Sequence, residues 1–203
     1  MIFNKKVMEG KEKYSILFLS ILLTLLFVQS LVGYANENDK TNLPAGELPL
    51  IITSAGQSPG GMTVSVLCKR NKIDHDYLNL AKVEDLTSKH YRTLIIVMGT
   101  SGKGLGAAGI DMDYELDRIE KIIEEAKKQK IFIIGMHIEG EARRGGTDEK
   151  TIGLVAPLVD YLFVRSDGNQ DGRFTEIAQK HEIPLRIFEE TLEINDLLRE
   201  IFQ

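Results

Sequence analysis

The chain has little cysteine, and its single residue of this type, Cys68, excludes an intrachain disulfide. Stability must therefore come from apolar packing, and 203 residues are enough to bury a sizeable core. Basic residues are also in the minority, because 25 Lys and Arg stand against 30 Asp and Glu, a formal charge of −5. That balance argues against nucleic acid as a partner, since nucleic acid requires a basic face.

A long apolar run lies near the N-terminus, from Tyr14 to Val32. Lysines precede it, and residues 33–35 place small side chains where a signal peptidase cleaves. The run would also extend about 28 Å as a helix, close to the thickness of a bilayer core. Residues 1–35 are therefore predicted to be a signal peptide or an N-terminal membrane anchor. No cysteine lies directly after the run, which excludes a lipoprotein anchor. The remainder is predicted to be secreted or held at the outer face of the cytoplasmic membrane.

Residues 36–47 are polar and contain Pro44 and Gly46, which predicts a linker to a domain spanning 48–203. Within this domain, strand and helix signals alternate. This alternation predicts an α/β fold of the three-layer, Rossmann-like kind, with a mainly parallel sheet between helices. The clearest helix is predicted from Asp111 to Lys128. Its expected apolar face consists of Met112, Leu116, Ile119, Ile123 and Ala126.

Six strands are predicted, at residues 50–52, 76–80, 93–98, 131–136, 161–164 and 185–188. Strands buried on both faces are continuously apolar, while edge strands tolerate polar residues. The third and fourth strands are the most apolar and should be central, whereas the second and sixth should lie at the edges. The predicted order is 2-1-3-4-5-6, as in flavodoxin, with a crevice where the order reverses between strands 1 and 3.

Two glycine-containing segments follow those two strands, SAGQSPGG at 54–61 and GTSGKGLGAAG at 99–109. The second contains G-x-G-x-x-G, but in the third βα unit and without the acidic partner of a dinucleotide site, and its lysine is misplaced for a P-loop. Two interpretations stay open. The glycines could simply permit positive φ angles in a long loop, or the loop could cradle an anion. In the second case Gln57, Ser58, Ser101 and Lys103 are the candidate ligand-binding residues.

The segment after the fourth strand is densely charged for a connection. Arg143 and Arg144 could bind a carboxylate or phosphate, and they complete the candidate ligand-binding set. His137 could act as an acid or base with Glu139 or Glu141, so these three are the catalytic candidates. Alternatively, the two glutamates pair with the two arginines and only stiffen the loop.

The fifth strand is followed by D-x-N-x-D-G, the first half of a calcium loop, with Asp167, Asn169 and Asp171 as possible ligands. The acidic residue expected at position 12 would fall on Ala178, which cannot bind a cation. The alternative is an Asx-type turn in which Asp171 or a neighbour caps the next helix. We favour the turn, and no cofactor is required by the sequence.

The segments ITSAGQSPGG, LIIVMGTSGKGLGAAGID, IIGMHIEGEARRGG and YLFVRSDGNQDGRFTEIA together resemble an uncharacterised bacterial exported family, domain of unknown function 6305. The resemblance extends over about residues 48–188. It implies no activity for any residue, but it implies that these loops occur as a set, as one shared site would require.

Three functions are compatible with these features. The first is an extracytoplasmic domain that binds a small anionic molecule at the carboxyl ends of the strands. The second is an exported hydrolase or transferase that uses His137 with Glu139 or Glu141. The third is a membrane-associated accessory module of a transporter, in which the N-terminal segment holds the domain at the membrane.

Overall fold

The structure is a computed structural model and describes residues 45–202. The strands are β1 (Leu50–Ala55), β2 (His75–Tyr77), β3 (Thr93–Met98), β4 (Phe132–His137), β5 (Tyr161–Arg165) and β6 (Leu185–Phe188). The α-helices are α1 (Gly60–Arg70), α2 (Val83–Ser88), α3 (Gly102–Ala108), α4 (Met112–Lys128), α5 (Asp148–Val155), α6 (Arg173–His181) and α7 (Ile194–Ile201). Short 3₁₀ turns occur at Gly140–Arg143, Ala156–Leu158, Ser166–Asn169 and Thr191–Glu193.

The six strands form one parallel sheet in the order β2-β1-β3-β4-β5-β6, which confirms the predicted fold class and strand order. Every residue of β1 and β3 is buried, as expected of central strands covered on both faces. The edge strands β2 and β6 are short and mostly half-buried. The apolar content of each strand therefore correctly predicted whether it lies at the centre or the edge of the sheet.

Helices cover both faces of the sheet and form two separate apolar cores. Alternate residues of one strand point to opposite faces. Ile51 accordingly belongs to the core beneath α2, α4, α5 and α6, whereas Ile52 belongs to the core beneath α1 and α7. This three-layer arrangement brings the carboxyl ends of all six strands to one edge.

The glycine-rich segment differs from the predicted loop, because most of it is the short helix α3. Ser101 caps this helix by accepting a hydrogen bond from the backbone of Gly104 (3.1 Å), and Gly109 ends it at a φ of 69°. Gly104 is required for a different reason: a β-carbon there would lie 2.0 Å from the carbonyl oxygen of Gln57. The close approach of α3 to the backbone of Gln57, and not a positive φ angle, therefore explains why residue 104 is glycine.

Three local details also differ from the prediction. The second strand ends at Tyr77 rather than continuing to residue 80. The sequence also makes Thr147 a candidate N-cap for the helix before Pro157, but Thr147 precedes α5 without a side-chain cap. On α4, Met112 and Leu116 are only half-buried, and the first turns bury charged residues in their place.

Among the helices of residues 45–202, none is long and apolar enough to cross a membrane. The predicted signal peptide or anchor at 1–35 lies outside the described residues, as does most of the predicted linker.

Candidate functional site

The loops that follow β1 and β3 are directly joined where the strand order reverses. The backbone N–H of Ser58 donates to the carbonyl of Gly99 (3.1 Å), and that of Ser101 donates to the carbonyl of Gly56 (2.8 Å). In open parallel sheets, ligands bind outside the carboxyl ends of the strands at such a reversal. We call this place the switch-point crevice and define it by Ser58, Gly60, Gly99 and Glu139.

Glu139, from the loop after β4, extends to the wall of the crevice. Its Oε2 atom would lie 2.8 Å from a β-carbon on Gly99 and 2.9 Å from one on Gly60. Ser58 Oγ would lie 2.7 Å and 3.4 Å from the same two points. A β-carbon on either glycine would therefore clash with the glutamate, and one on Gly99 also with the serine, so the two oxygens pack closely against the glycine backbones.

Two polar side chains of the crevice have hydrogen-bonding capacity that no described residue uses. Oε2 of Glu139 is buried and has no hydrogen-bond donor among the described residues. Ser58 is 2% exposed, and its Oγ accepts only one long bond, from the N–H of Gly60 (3.4 Å). Among residues 45–202, the hydroxyl proton of Ser58 has no acceptor. Buried polar groups are normally paired, so both are exceptions to that rule.

The N-terminus of α1 opens onto the crevice with favourable polarity for an anion. Its first turn has no acidic residue, and within residues 45–202 the backbone N–H groups of Gly61 and Met62 find no acceptor. Such free N–H groups carry the positive end of the helix dipole. Lys103, in the first turn of α3, is exposed and makes no ion pair with any described residue.

Arg143 joins the β4 loop to the β3 loop beside the crevice. Its Nε donates to Oε1 of Glu139 (3.1 Å) and its Nη1 to the carbonyl of Thr100 (2.8 Å). Its side chain is 27% exposed, and Nη2 has no acceptor in the described part of the chain. Arg143 therefore positions Glu139 and still retains a donor.

Arg144 is fully engaged in structure, unlike its neighbour. Its guanidinium binds Glu149 (2.8 and 2.9 Å), both carboxylate oxygens of Asp171 (2.8 and 3.0 Å) and the carbonyl of Gly168, and it lies over the ring of Phe174. The pairing lowers the pKa of Asp171 to about 2. Arg144 thus ties the β4 loop, α5 and the β5 loop together.

His137 lies in the core rather than on the rim. It is fully buried, its Nε2 hydrogen-bonds to the carbonyl of Gly140 (3.1 Å), and its ring packs against Phe174. Burial, the largest cause, lowers the pKa of His137 and favours the neutral ring. Glu141, the other acidic candidate, is exposed.

The D-x-N-x-D-G segment is held together by its own contacts. Arg165 binds both oxygens of Asp167. At the start of α6, Asp171 accepts from the N–H of Arg173 (3.1 Å) and Asn169 accepts from the N–H of Phe174 (2.8 Å). Across residues 45–202, no group of three or more His, Cys, Asp or Glu could hold a metal ion.

Two predicted ligand contacts, Gln57 and Ser101, are engaged in holding the loops. Ser101 caps α3, and the amide of Gln57 is bound by Asn79 (2.5 and 3.1 Å) and Glu115 (3.0 Å). Of the six predicted ligand residues, Ser58 and Arg143 thus lie at the crevice with groups still available, and Lys103 lies unpaired in the first turn of α3. Surface cavities of about 210, 450 and 380 Å³ lie elsewhere, on the helical layers.

The family model described as Domain of unknown function (DUF6305) matches residues 47–202. The chain belongs to this family. No curated protein matches the sequence. The DUF6305 domain is similar in structure to a de novo designed Rossmann 2x3 fold protein, with 11% identity, a TM-score of 0.38 and coverage of 75% of this chain and 88% of that one.

Two further solved structures share a weak likeness to the DUF6305 domain. A GDSL-like lipase from Bacteroides thetaiotaomicron is 16% identical, with a TM-score of 0.34 and coverage of 68% of this chain and 66% of the lipase. AlinE4, an SGNH-hydrolase family esterase, is 15% identical, with a TM-score of 0.32 and coverage of 78% and 84%. Likenesses this weak give no information about activity.

Sequence reasoning missed two features of this DUF6305 site. Glu115 and Arg118, three residues apart on α4, form a buried ion pair that also binds the β1 loop; their spacing is typical of an ordinary surface pair. Residues 56–60 match G-x-S-x-G, which places a nucleophilic serine on a strand-to-helix turn in α/β hydrolases. Here no histidine of the described chain hydrogen-bonds to Ser58.

Proposed function

We propose that the DUF6305 domain binds a small anionic molecule in the switch-point crevice. The observation that supports this most strongly is that three kinds of group there lack a partner among the described residues: the hydroxyl proton of Ser58, Oε2 of Glu139 and the N–H groups at the start of α1. Structural loops normally satisfy such groups internally. A bound ligand would satisfy them.

The charge near the crevice favours an anion. The N-terminus of α1 and the unpaired ammonium group of Lys103 are both positive, while the carboxylate of Glu139 is partly neutralised by Arg143. We assign Ser58, Lys103 and Arg143 to ligand contact. Arg144 is left out because its donors already bind Asp171, Glu149 and the carbonyl of Gly168.

The alternative of a hydrolase or transferase with His137 as acid or base has less support. A fully buried imidazole, held by the carbonyl of Gly140, has no route to a substrate without local unfolding. Export, membrane attachment and a transporter partner remain predictions from the sequence.

The adjacent arginines provide the test. The full-length protein, purified in mild detergent, would be titrated by calorimetry with acetate, propionate, lactate, alanine, sulfate and phosphate. We expect Lys103→Ala and Arg143→Ala to weaken binding at least about tenfold, the equivalent of about 1.4 kcal/mol. Arg144→Ala should leave affinity unchanged but lower the free energy of unfolding by about 1–2 kcal/mol, because it breaks a partly exposed ion network.

The proposal fails if none of these molecules binds at millimolar concentration. It also fails if Lys103→Ala and Arg143→Ala bind as tightly as the wild type. Affinity loss confined to Arg144→Ala would place the site on the β5 loop instead.

A further inference from the structure

Glu139 has one carboxylate oxygen fixed and the other unpaired. Oε1 accepts a hydrogen bond from Arg143 (3.1 Å), which sets the orientation of the carboxylate. Oε2 points toward Gly60 and Gly99, is buried, and receives no hydrogen bond from the described residues. Leaving a buried carboxylate oxygen unpaired is costly, so a donor is expected from outside the chain.

Neighbouring groups of the chain do not supply that donor. The Ser58 hydroxyl is the nearest candidate, because both oxygens would contact a β-carbon on Gly99 (2.7 and 2.8 Å), yet no hydrogen bond joins them. Arg143 directs its Nε at Oε1 and its Nη1 at the carbonyl of Thr100. The unpaired oxygen is thus packed against two glycines, with the serine beside it.

The crevice combines this acceptor with groups that attract an anion. The unpaired N–H groups of Gly61 and Met62 lie in the first turn of α1. Gly60, the first residue of this helix, borders Oε2. A molecule that satisfies both sides must have an anionic group and a hydrogen-bond donor only a few atoms apart. Acetate, propionate and sulfate provide only the first.

We infer that the ligand is a small acid with a hydroxyl or amino group next to its carboxylate, and that Glu139 accepts the hydrogen bond from that group. This inference rests on the proposed function, since it specifies the ligand of the same crevice. A site that hydrogen-bonds a ligand's hydroxyl or amino group discriminates strongly against analogues that lack it, because its own polar group is then left unpaired.

Matched ligands provide the test. Lactate and alanine differ from propionate by a hydroxyl or an amino group at one carbon. Calorimetric titration of the full-length protein should give a dissociation constant at least about tenfold lower for lactate or alanine than for propionate. Glu139→Met, which keeps an unbranched side chain but removes the carboxylate, should abolish that ratio. Glu141→Gln, at an exposed carboxylate in the same loop, should leave it intact.

The possible failures are distinguishable. If propionate, lactate and alanine bind equally to the wild type, the inference is overturned while the proposed function stands. If Glu139→Met is folded by circular dichroism and retains the wild-type ratio, Glu139 is not the acceptor and the inference is again overturned. If none of the three ligands, nor sulfate, nor phosphate binds the wild type, the proposed function itself is overturned.

Discussion

The Glu115–Arg118 pair and the Glu139–Arg143 pair both join a carboxylate to a guanidinium at the carboxyl edge of the sheet, but they differ in burial and completeness. The side chains of the first pair are 0% and 4% exposed, and those of the second are 19% and 27% exposed. In the first pair, Glu115 accepts from the backbone of Gly56, the amide of Gln57 and Arg118. Arg118 in turn donates to carbonyl groups of Ser54 and Ala81.

The difference separates a stabilising pair from a candidate ligand-binding pair. A buried ion pair is tolerated only when its remaining hydrogen bonds are also made, as they are around Glu115. The second pair leaves Oε2 of Glu139 without a donor in the described chain, which has no structural benefit. Loss of the first pair should therefore reduce stability, and loss of the second should mainly reduce binding.

Glu115→Gln, in the buried pair, should have the largest effect on stability. It leaves the Arg118 guanidinium buried without a compensating charge, so we expect the free energy of unfolding to fall by about 3–5 kcal/mol. Urea denaturation followed by circular dichroism measures this. Asp117→Ala, which removes an exposed pair with Lys121 on the same helix, is the matched control and should cost less than about 1 kcal/mol. Equal costs at the two positions would show that the buried network is not the main support of the β1 loop.

Two glycines of α3 test a second support of the β1 loop, because α3 approaches that loop closely at Gln57. A β-carbon at Gly104 would meet the carbonyl oxygen of Gln57 at 2.0 Å, whereas one at Gly106 meets nothing within 4 Å. Gly104→Ala should therefore destabilise the protein by about 1–3 kcal/mol through overpacking. Gly106→Ala should stabilise it by up to about 1 kcal/mol through helix propensity. Thermal denaturation distinguishes the two signs, and a shared sign would contradict the observed approach of α3 to Gln57.

The sequence was sufficient to predict the strand order of the sheet. It was not sufficient to predict which polar side chains at its edge are held in structural contacts. Continuous apolar runs identify β3 and β4 as central strands because burial on both faces admits no other pattern. Parallel strands then bring the polar loops to one edge. Adjacent arginines, however, look alike in sequence, and only tertiary contacts assign Arg144 to structure and leave Arg143 at the crevice. Likewise, the burial of His137 depends on how Phe174 packs from a distant helix.

His137 anchors the loop of the second pair, and its titration gives the smallest predicted effect. In the unfolded chain a histidine titrates near pH 6.5, whereas burial lowers the pKa of His137 in the folded protein. As pH falls below about 6.5, the unfolded state binds a proton that the folded state does not, so the free energy of unfolding decreases until the lowered pKa is reached. His137→Gln keeps an amide donor for the carbonyl of Gly140 but removes the titration. Its stability should therefore decline less steeply from pH 7 to pH 5 than that of the wild type.

Ile134→Val on the same strand is the control, and it should lower stability by about 0.5–1.5 kcal/mol without changing the slope of stability against pH. If the free energies of unfolding of His137→Gln and the wild type changed in parallel with pH, the imidazole would bind its proton as readily in the folded state as in the unfolded one. The loop that carries Glu139 would then open to water more easily than the more buried Glu115 network.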